Sequence, residues 1–298
     1  MTQIRFGPAG NSLSFYEQGY KRTEQAPAWL EAMGLNAFEY SFGRGVSLGE
    51  ATAKKIREAM QAHGVCISVH APYFINLAVA DEERREKNFR YFQETAHAAQ
   101  MLGAKRVVFH PGAVTKMTRQ QAKELAEPFL KEILAAMDAQ GFSGLTFCPE
   151  TMGKLNQYGD LSEVISLCQL DERLIPTVDF GHLHARGIGA IQGREDFARI
   201  LDALENGVGR ERASVMHVHF SRIEYTKAGE KRHRTFAETE YGPDFAPLAE
   251  LVAERGWTPH FICESNGTMA EDALTMKQLY EQAAKNWTEN RDFSANTH

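Results

Sequence analysis

Short apolar runs alternate along this chain with longer stretches in which apolar residues recur every three and four positions. The short runs span 4–8, 37–42, 66–71, 106–111, 145–150, 174–179, 214–221 and 259–264, and they read as strands. The clearest helical stretches lie between them, at 82–102, 119–140, 194–206, 244–255 and 271–284. Gly34, Gly64, Gly103, Gly141 and Gly256 stand where helix C-caps precede the next strand. Strands alternating with helices in this way are the rhythm of a parallel sheet. In 298 residues it predicts one α/β domain, a (β/α)8 TIM barrel over 1–285. The remainder, 286–298, is polar and is expected to fray. The connection from 221 to 243 is long and dense in charge, which reads as a functional loop, with a solvated surface loop as the alternative.

The strand ends carry a second pattern. His70, His110, Glu150, Asp179 with His182, His217 and Glu264 fall near the ends of six successive runs. A closed barrel gathers those ends at one mouth, where such barrels do their chemistry. Carboxylates seldom cap apolar strands unless paired or metal-bound, and several at one mouth would repel each other without cations. Imidazoles in this number favour zinc, or manganese or iron, over magnesium or calcium. His217 and His219 alternate with Met216, Val218 and Phe220 and so face the same side; one is a ligand candidate, the other an outer or substrate contact. His184, just after His182, is expected to be structural or at the rim, and His63, His97, His260 and His298 are not expected to bind metal. Tyr73 and Phe74 form an aromatic pair after the third strand, placed to pack the loop, to wedge into a nucleic acid or to cover a small substrate.

Composition narrows the partners. A formal net charge of -6 argues against a generally basic nucleic-acid surface, though bound divalent ions would add local positive charge. Cys66, Cys148, Cys168 and Cys263 have no CxxC spacing and read as reduced core residues. No run of about 18 apolar residues appears, and the first residues lack a signal-peptide pattern, so a cytoplasmic protein with no membrane partner is expected.

The segments HAPYFINLA at 70–78, FHPG at 109–112, PETMGK at 149–154, VDFGH at 178–182, MHVHFS at 216–221, KRHR at 231–234 and CESN at 263–266 together resemble endonuclease IV. That is the metal-dependent apurinic/apyrimidinic endonuclease family within the xylose-isomerase-like barrels. The resemblance runs from about residue 67 to 264. It implies a TIM barrel with a trinuclear zinc site, acting as a hydrolase on DNA that contains abasic sites during base-excision repair; a monomer is expected. It further implies that His70, His110 and Glu150 hold a first ion and Glu150, Asp179, His217 and Glu264 a second, with Glu150 bridging. His182 and His233 would hold the third. The family's remaining ligand there is an aspartate two residues before the histidine, and this chain has Lys231. A cation cannot serve, so Glu230 or water completes the shell, or the third site is weak or empty. The early segments FGPAGNSLSF at 6–15 and SFGRGVSLGE at 41–50 do not resemble the family's DNA-contacting motifs.

On this reading Glu150 and Glu264 are the catalytic carboxylates, orienting or deprotonating water. Tyr73, Phe74, Lys154, His219 and Arg232 are substrate contacts, with Arg222 and Arg234 as further phosphate candidates. The rival is a divalent-metal-dependent sugar or sugar-phosphate isomerase or epimerase, since related barrels hold one ion with Glu, Asp, His and Glu in that order. Glu150, Asp179, His217 and Glu264 supply that set, but His70, His110, His182 and His233 are then left over.

Overall fold

The computed structural model describes the backbone of residues 3–295 and the side chains of residues 3–291. Eight parallel strands form its centre: β1 (Arg5–Pro8), β2 (Ala37–Ser41), β3 (Cys66–His70), β4 (Arg106–Phe109), β5 (Thr146–Pro149), β6 (Thr177–Asp179), β7 (His217–Phe220) and, after a hairpin made of β8 (Arg222–Thr226) and β9 (Gly229–Arg234), β10 (His260–Cys263). They pair as β1-β10-β7-β6 and β2-β3-β4-β5. Parallel bridges from Ala9 to Glu39 and from Glu150 to Thr177 join the two sets into a closed ring. All eight expected runs are strands of this barrel, and the fold is a TIM barrel.

Alternation along each strand sorts the side chains. On β7, Val218 and Phe220 join the apolar layer beneath the helices, while His217 and His219 turn into the barrel. Phe6 on Phe261 at 5.1 Å and Phe92 against Phe109 at 5.0 Å are typical of the outward layer. Burial of that layer is the main force closing the ring. The inward positions are thereby free to be polar, and many are.

The helices begin and end where their caps dictate. Asp81 accepts the amide of Arg84 to start Glu82–Leu102, and Gly103 ends it in the left-handed conformation at φ 73°. Thr118 and Gln121 cap Arg119–Ala139 reciprocally. The last helix, Met269–Ala295, runs past the expected boundary at 284, held by a Gln282–Asn286 hydrogen bond of 2.7 Å and a Lys285–Glu289 pair. Residues 296–298, including His298, lie outside the described residues. No described helix is long and apolar enough to cross a membrane, and all four cysteines are free thiols.

Closure between the first two strands depends on Gly7. A Cβ there would lie 1.8 Å from the Ala37 carbonyl oxygen of β2, a backbone atom that cannot swing aside. Gly7→Ala is expected to cost about 1–3 kcal/mol or more of unfolding free energy, read as a lowered urea midpoint against the parent protein.

Candidate metal centre

One buried carboxylate organises the barrel mouth. Oε2 of Glu150, just past the end of β5, stands 3.0 Å from Nε2 of His70 and 3.3 Å from Nε2 of His110. Its Oε1 stands 3.3 Å from Nδ1 of both His182 and His219. Burial alone would raise the Glu150 carboxyl, but the imidazoles of His219, His110 and His182 outweigh it and hold the group well below its ordinary value.

Local structure explains how each neighbour is aimed. Asp179 ends β6 and caps the short helix Phe180–Arg186; its Oδ1 accepts the His182 amide at 2.6 Å, which places the His182 ring one turn in, above the mouth. Nδ1 of His182 meets the Thr151 carbonyl at 2.9 Å, Nδ1 of His70 meets that of Ala71 at 2.7 Å, and Nδ1 of His233 meets Oγ of Ser221 at 2.8 Å. His70 and His233 thereby turn Nε2 to Glu150 and Glu264, and His182 turns Nε2 to Glu230 while its Nδ1 stays near Glu150.

Among the described residues four groups of donors result, each with its ligand atoms within 4.8 Å of one another: His70, Glu150 and His219; Glu150, Asp179, His219 and Glu264; His182, Glu230 and His233; and, a layer deeper, Glu39, His217 and His219. Oδ2 of Asp179 and both ring nitrogens of His219 are buried without a hydrogen-bond partner. Burial pushes the Asp179 carboxyl up to about 6 against the pull of His182. Burial also works to raise Glu264, but His219 and His233 hold it below the usual carboxylate range. Unpartnered buried donors that combine imidazole with carboxylate fit divalent transition ions.

The register differs from expectation on the seventh strand. β7 pairs with β6 so that Asp179 lies beside His219 and Thr177 beside His217. His219 is therefore level with the carboxylates of the mouth. His217, expected among the ligands, sits two residues lower, with Nε2 3.0 Å from Oε2 of Glu39. His219, expected as a substrate contact, is fully buried within the cluster.

The charged loop at 221–243 also holds a structure that its length does not announce. β8 and β9 pair antiparallel, with Glu224 opposite Arg232 and Tyr225 opposite Glu230, which leaves Lys231 bulged out of register. The bulge resets the alternation, so Glu230 shares the face of His233 while Lys231 and Arg234 share the opposite face and pair with Glu224. Oε2 of Glu230 comes within 3.5 Å of Nε2 of His182. Gly153 makes room for this: a Cβ on it would lie 2.6 Å from the Glu230 Cβ and 2.9 Å from the His182 ring. Its carbonyl also takes the Glu230 amide at 3.0 Å.

The rim carries the remaining candidates. Tyr73 and Phe74 are 47% and 50% exposed, with ring centroids 4.4 Å apart, and Tyr73 and Lys154 line a cavity of about 340 Å³ over His70, His110 and Glu150. Arg232 is exposed beside Glu264 and Asn266. Arg222 and Arg234 point elsewhere, Arg222 to Asp244 and the Tyr241 carbonyl, Arg234 to Glu224 and Glu238. His184 is turned from the cluster, accepting the Ile191 amide at 3.2 Å. Sequence reasoning misses Glu39, although a carboxylate between Phe38 and Tyr40 carries the same signal as Glu150.

A family profile described as xylose isomerase-like TIM barrel matches residues 27–293. An uncharacterized protein of Methanocaldococcus jannaschii is 32% identical over 277 residues, covering 93% of this chain and 97% of that one. A probable endonuclease 4 of Staphylococcus saprophyticus is 32% identical over 181 residues, 58% of each chain, so this chain spans less than two thirds of that relative. Among solved structures, endonuclease IV from Thermus thermophilus superposes with a TM-score of 0.65 at 22% identity, over 89% of this chain and 94% of that one. A D-tagatose 3-epimerase-like protein does so at 0.66 and 21%, over 86% and 91%. At such identities the superpositions speak for the fold alone. The profile, over nearly the whole barrel, places this chain in the xylose isomerase-like TIM barrel family.

Proposed function

We propose that this chain is a metal-dependent phosphodiesterase of the endonuclease IV type, cutting DNA 5′ to abasic sites. The observation that carries the reading is the arrangement around Glu150. Glu150, Asp179, His219 and Glu264 would suffice for one ion, yet His70 and His110 converge on one Glu150 oxygen, and His182, Glu230 and His233 form a further group beside the other. In this reading His70, His110 and Glu150 would hold one ion, Asp179, His219 and Glu264 with Glu150 another, and Glu230 would take the place that Lys231 cannot fill. The partial likeness to proteins named probable endonuclease 4 supports the same choice. Zinc suits the imidazole-rich set, with manganese or iron as alternatives.

Divalent ions bound there would neutralise phosphoryl charge and make water a stronger acid near neutral pH. The chain's own groups do the rest. Glu264, at the mouth beside His219 and His233, would take a proton from the attacking water as the bond from phosphorus to the 3′-oxygen breaks; that oxygen would take a proton from solvent, leaving a 3′-hydroxyl and a 5′-deoxyribose phosphate. Glu150 keeps the imidazoles gathered. Lys154 and Arg232 would meet backbone phosphates, and Tyr73 with Phe74 would fill the gap left when an unstacked abasic nucleotide swings out.

Zinc-replete protein incubated with a duplex bearing a single abasic site is expected to nick it, and chelator to abolish the nick. Turnover of a ketose or sugar phosphate without any nick would instead assign the chain to the epimerase reading. Glu150→Gln is expected to lower the nicking rate on the order of 10²- to 10⁴-fold.

The bulge makes a separate demand on two adjacent residues. Glu230→Ala is expected to reduce the metal content found by elemental analysis after dialysis, whereas Lys231→Ala, which removes an exposed ammonium paired with Glu224, should leave it unchanged. Equal metal content in both variants would remove Glu230 from the ligand set.

A further inference from the structure

Beneath the mouth lies the deepest of the four donor groups, whose Glu39 and His217 take no part in the proposed ion sites. Glu39, at the middle of β2, is fully buried among Ser68, His217 and His219, themselves almost or wholly buried. Its Oε2 accepts from Oγ of Ser68 at 2.8 Å and stands 3.0 Å from Nε2 of His217. Its Oε1 stands 2.8 Å from Nε2 of His219, close but off the line of a straight N–H bond. Burial works to raise the Glu39 carboxyl, and its contacts with His219 and His217 hold it below its ordinary value.

His219 is mounted the opposite way from its neighbours. His70, His182 and His233 each engage Nδ1 with a backbone carbonyl or hydroxyl and offer Nε2 to the site. His219 instead points Nδ1 at the mouth, 3.3 Å from Glu150 and 3.5 Å from Glu264, and buries Nε2. An imidazole that ligates through one nitrogen carries its proton on the other, and that proton needs an acceptor. The acceptor within reach of Nε2 is Glu39.

We propose that Glu39 is a positioning residue for the metal centre, taking the Nε2 proton of His219 so that Nδ1 is bare toward Glu150, Asp179 and Glu264. Ser68 and His217 fix the carboxylate for that task. This gives His217 a role as a brace beneath the centre. The inference rests on reading His219 as a ligand, and it is independent of what the centre acts on.

The test uses the whole chain and zinc alone. Glu39→Gln keeps the shape of the side chain and removes its charge. It is expected to weaken zinc binding about 10- to 100-fold in competition with a chromophoric chelator, while thermal unfolding of the metal-free variant still gives one cooperative transition. Zinc affinity within about twofold of the parent protein would overturn the proposal. A second measurement needs no variant: in zinc-loaded, histidine-¹⁵N-labelled protein, correlation spectra are expected to show the His219 proton on Nε2 and none on Nδ1. A proton on Nδ1 would overturn it even if Glu39→Gln failed to fold. Because neither readout involves DNA, loss of the nuclease reading would leave both results standing. Conversely, an active nuclease whose zinc affinity ignores Glu39 would overturn this inference alone.

Discussion

A carboxylate shared by four imidazoles is the interaction on which the mouth of this barrel depends. Glu150 is almost wholly buried, and His70, His110, His182 and His219 all approach its two oxygens within 3.3 Å. A charge taken so far from water is tolerable only with compensation on every side, because desolvation of an ionised group costs several kcal/mol. Each histidine comes from a different segment of the barrel, so the same contacts that stabilise Glu150 also tie β3, β4, β5, β7 and the turn after β6 into one mouth. Structure and chemistry are not separable at this residue.

The polar interior extends further down than the mouth alone requires. Outward positions of the strands are apolar and hold the helices, which leaves the inward positions free to be selected for something other than packing. Glu39, Ser68 and His217 occupy that freedom with a hydrogen-bonded layer directly below the carboxylates. The hairpin closes the same site from above, and two glycines let it approach: Gly153 gives way to Glu230, and Gly229, at φ 96°, lies where a Cβ would meet the Gly153 carbonyl at 2.3 Å.

What the chain discloses before folding follows from how local each signal is. The eight strands are legible because their outward residues are apolar and because helix caps such as Asp81, Thr118 and Gly103 act within one turn of chain. That histidines and carboxylates gather at one mouth is legible once the strands are. Which of His217 and His219 belongs with Asp179 is not, because both face inward and only the pairing of β7 with β6 sets their height. Glu230 stands as a bare alternative for the same kind of reason: a β-bulge at Lys231 reverses the alternation, and nothing in KRHR announces a bulge. Glu39 carries a visible signal but sits at mid-strand, outside a pattern that follows strand ends.

The choice between phosphodiester and sugar chemistry turns on electrostatics rather than on architecture. Endonuclease IV and an epimerase-like barrel superpose on this chain equally well, so the backbone cannot decide between them. A single ion among Glu150, Asp179, His219 and Glu264 would satisfy the lower part of the mouth and leave His182, Glu230 and His233 above it with their ligand atoms turned toward one another. Imidazoles aimed at a carboxylate can persist as ion pairs, but the Nδ1 atoms of His182 and His233 are already engaged by Thr151 and Ser221, which fixes both rings with Nε2 facing inward. Fixed rings are the arrangement a metal needs, and a simple ion pair does not require it. In the proposed phosphodiesterase such an added centre would serve a dianionic pentacoordinate phosphorus, which concentrates more charge than an enediolate.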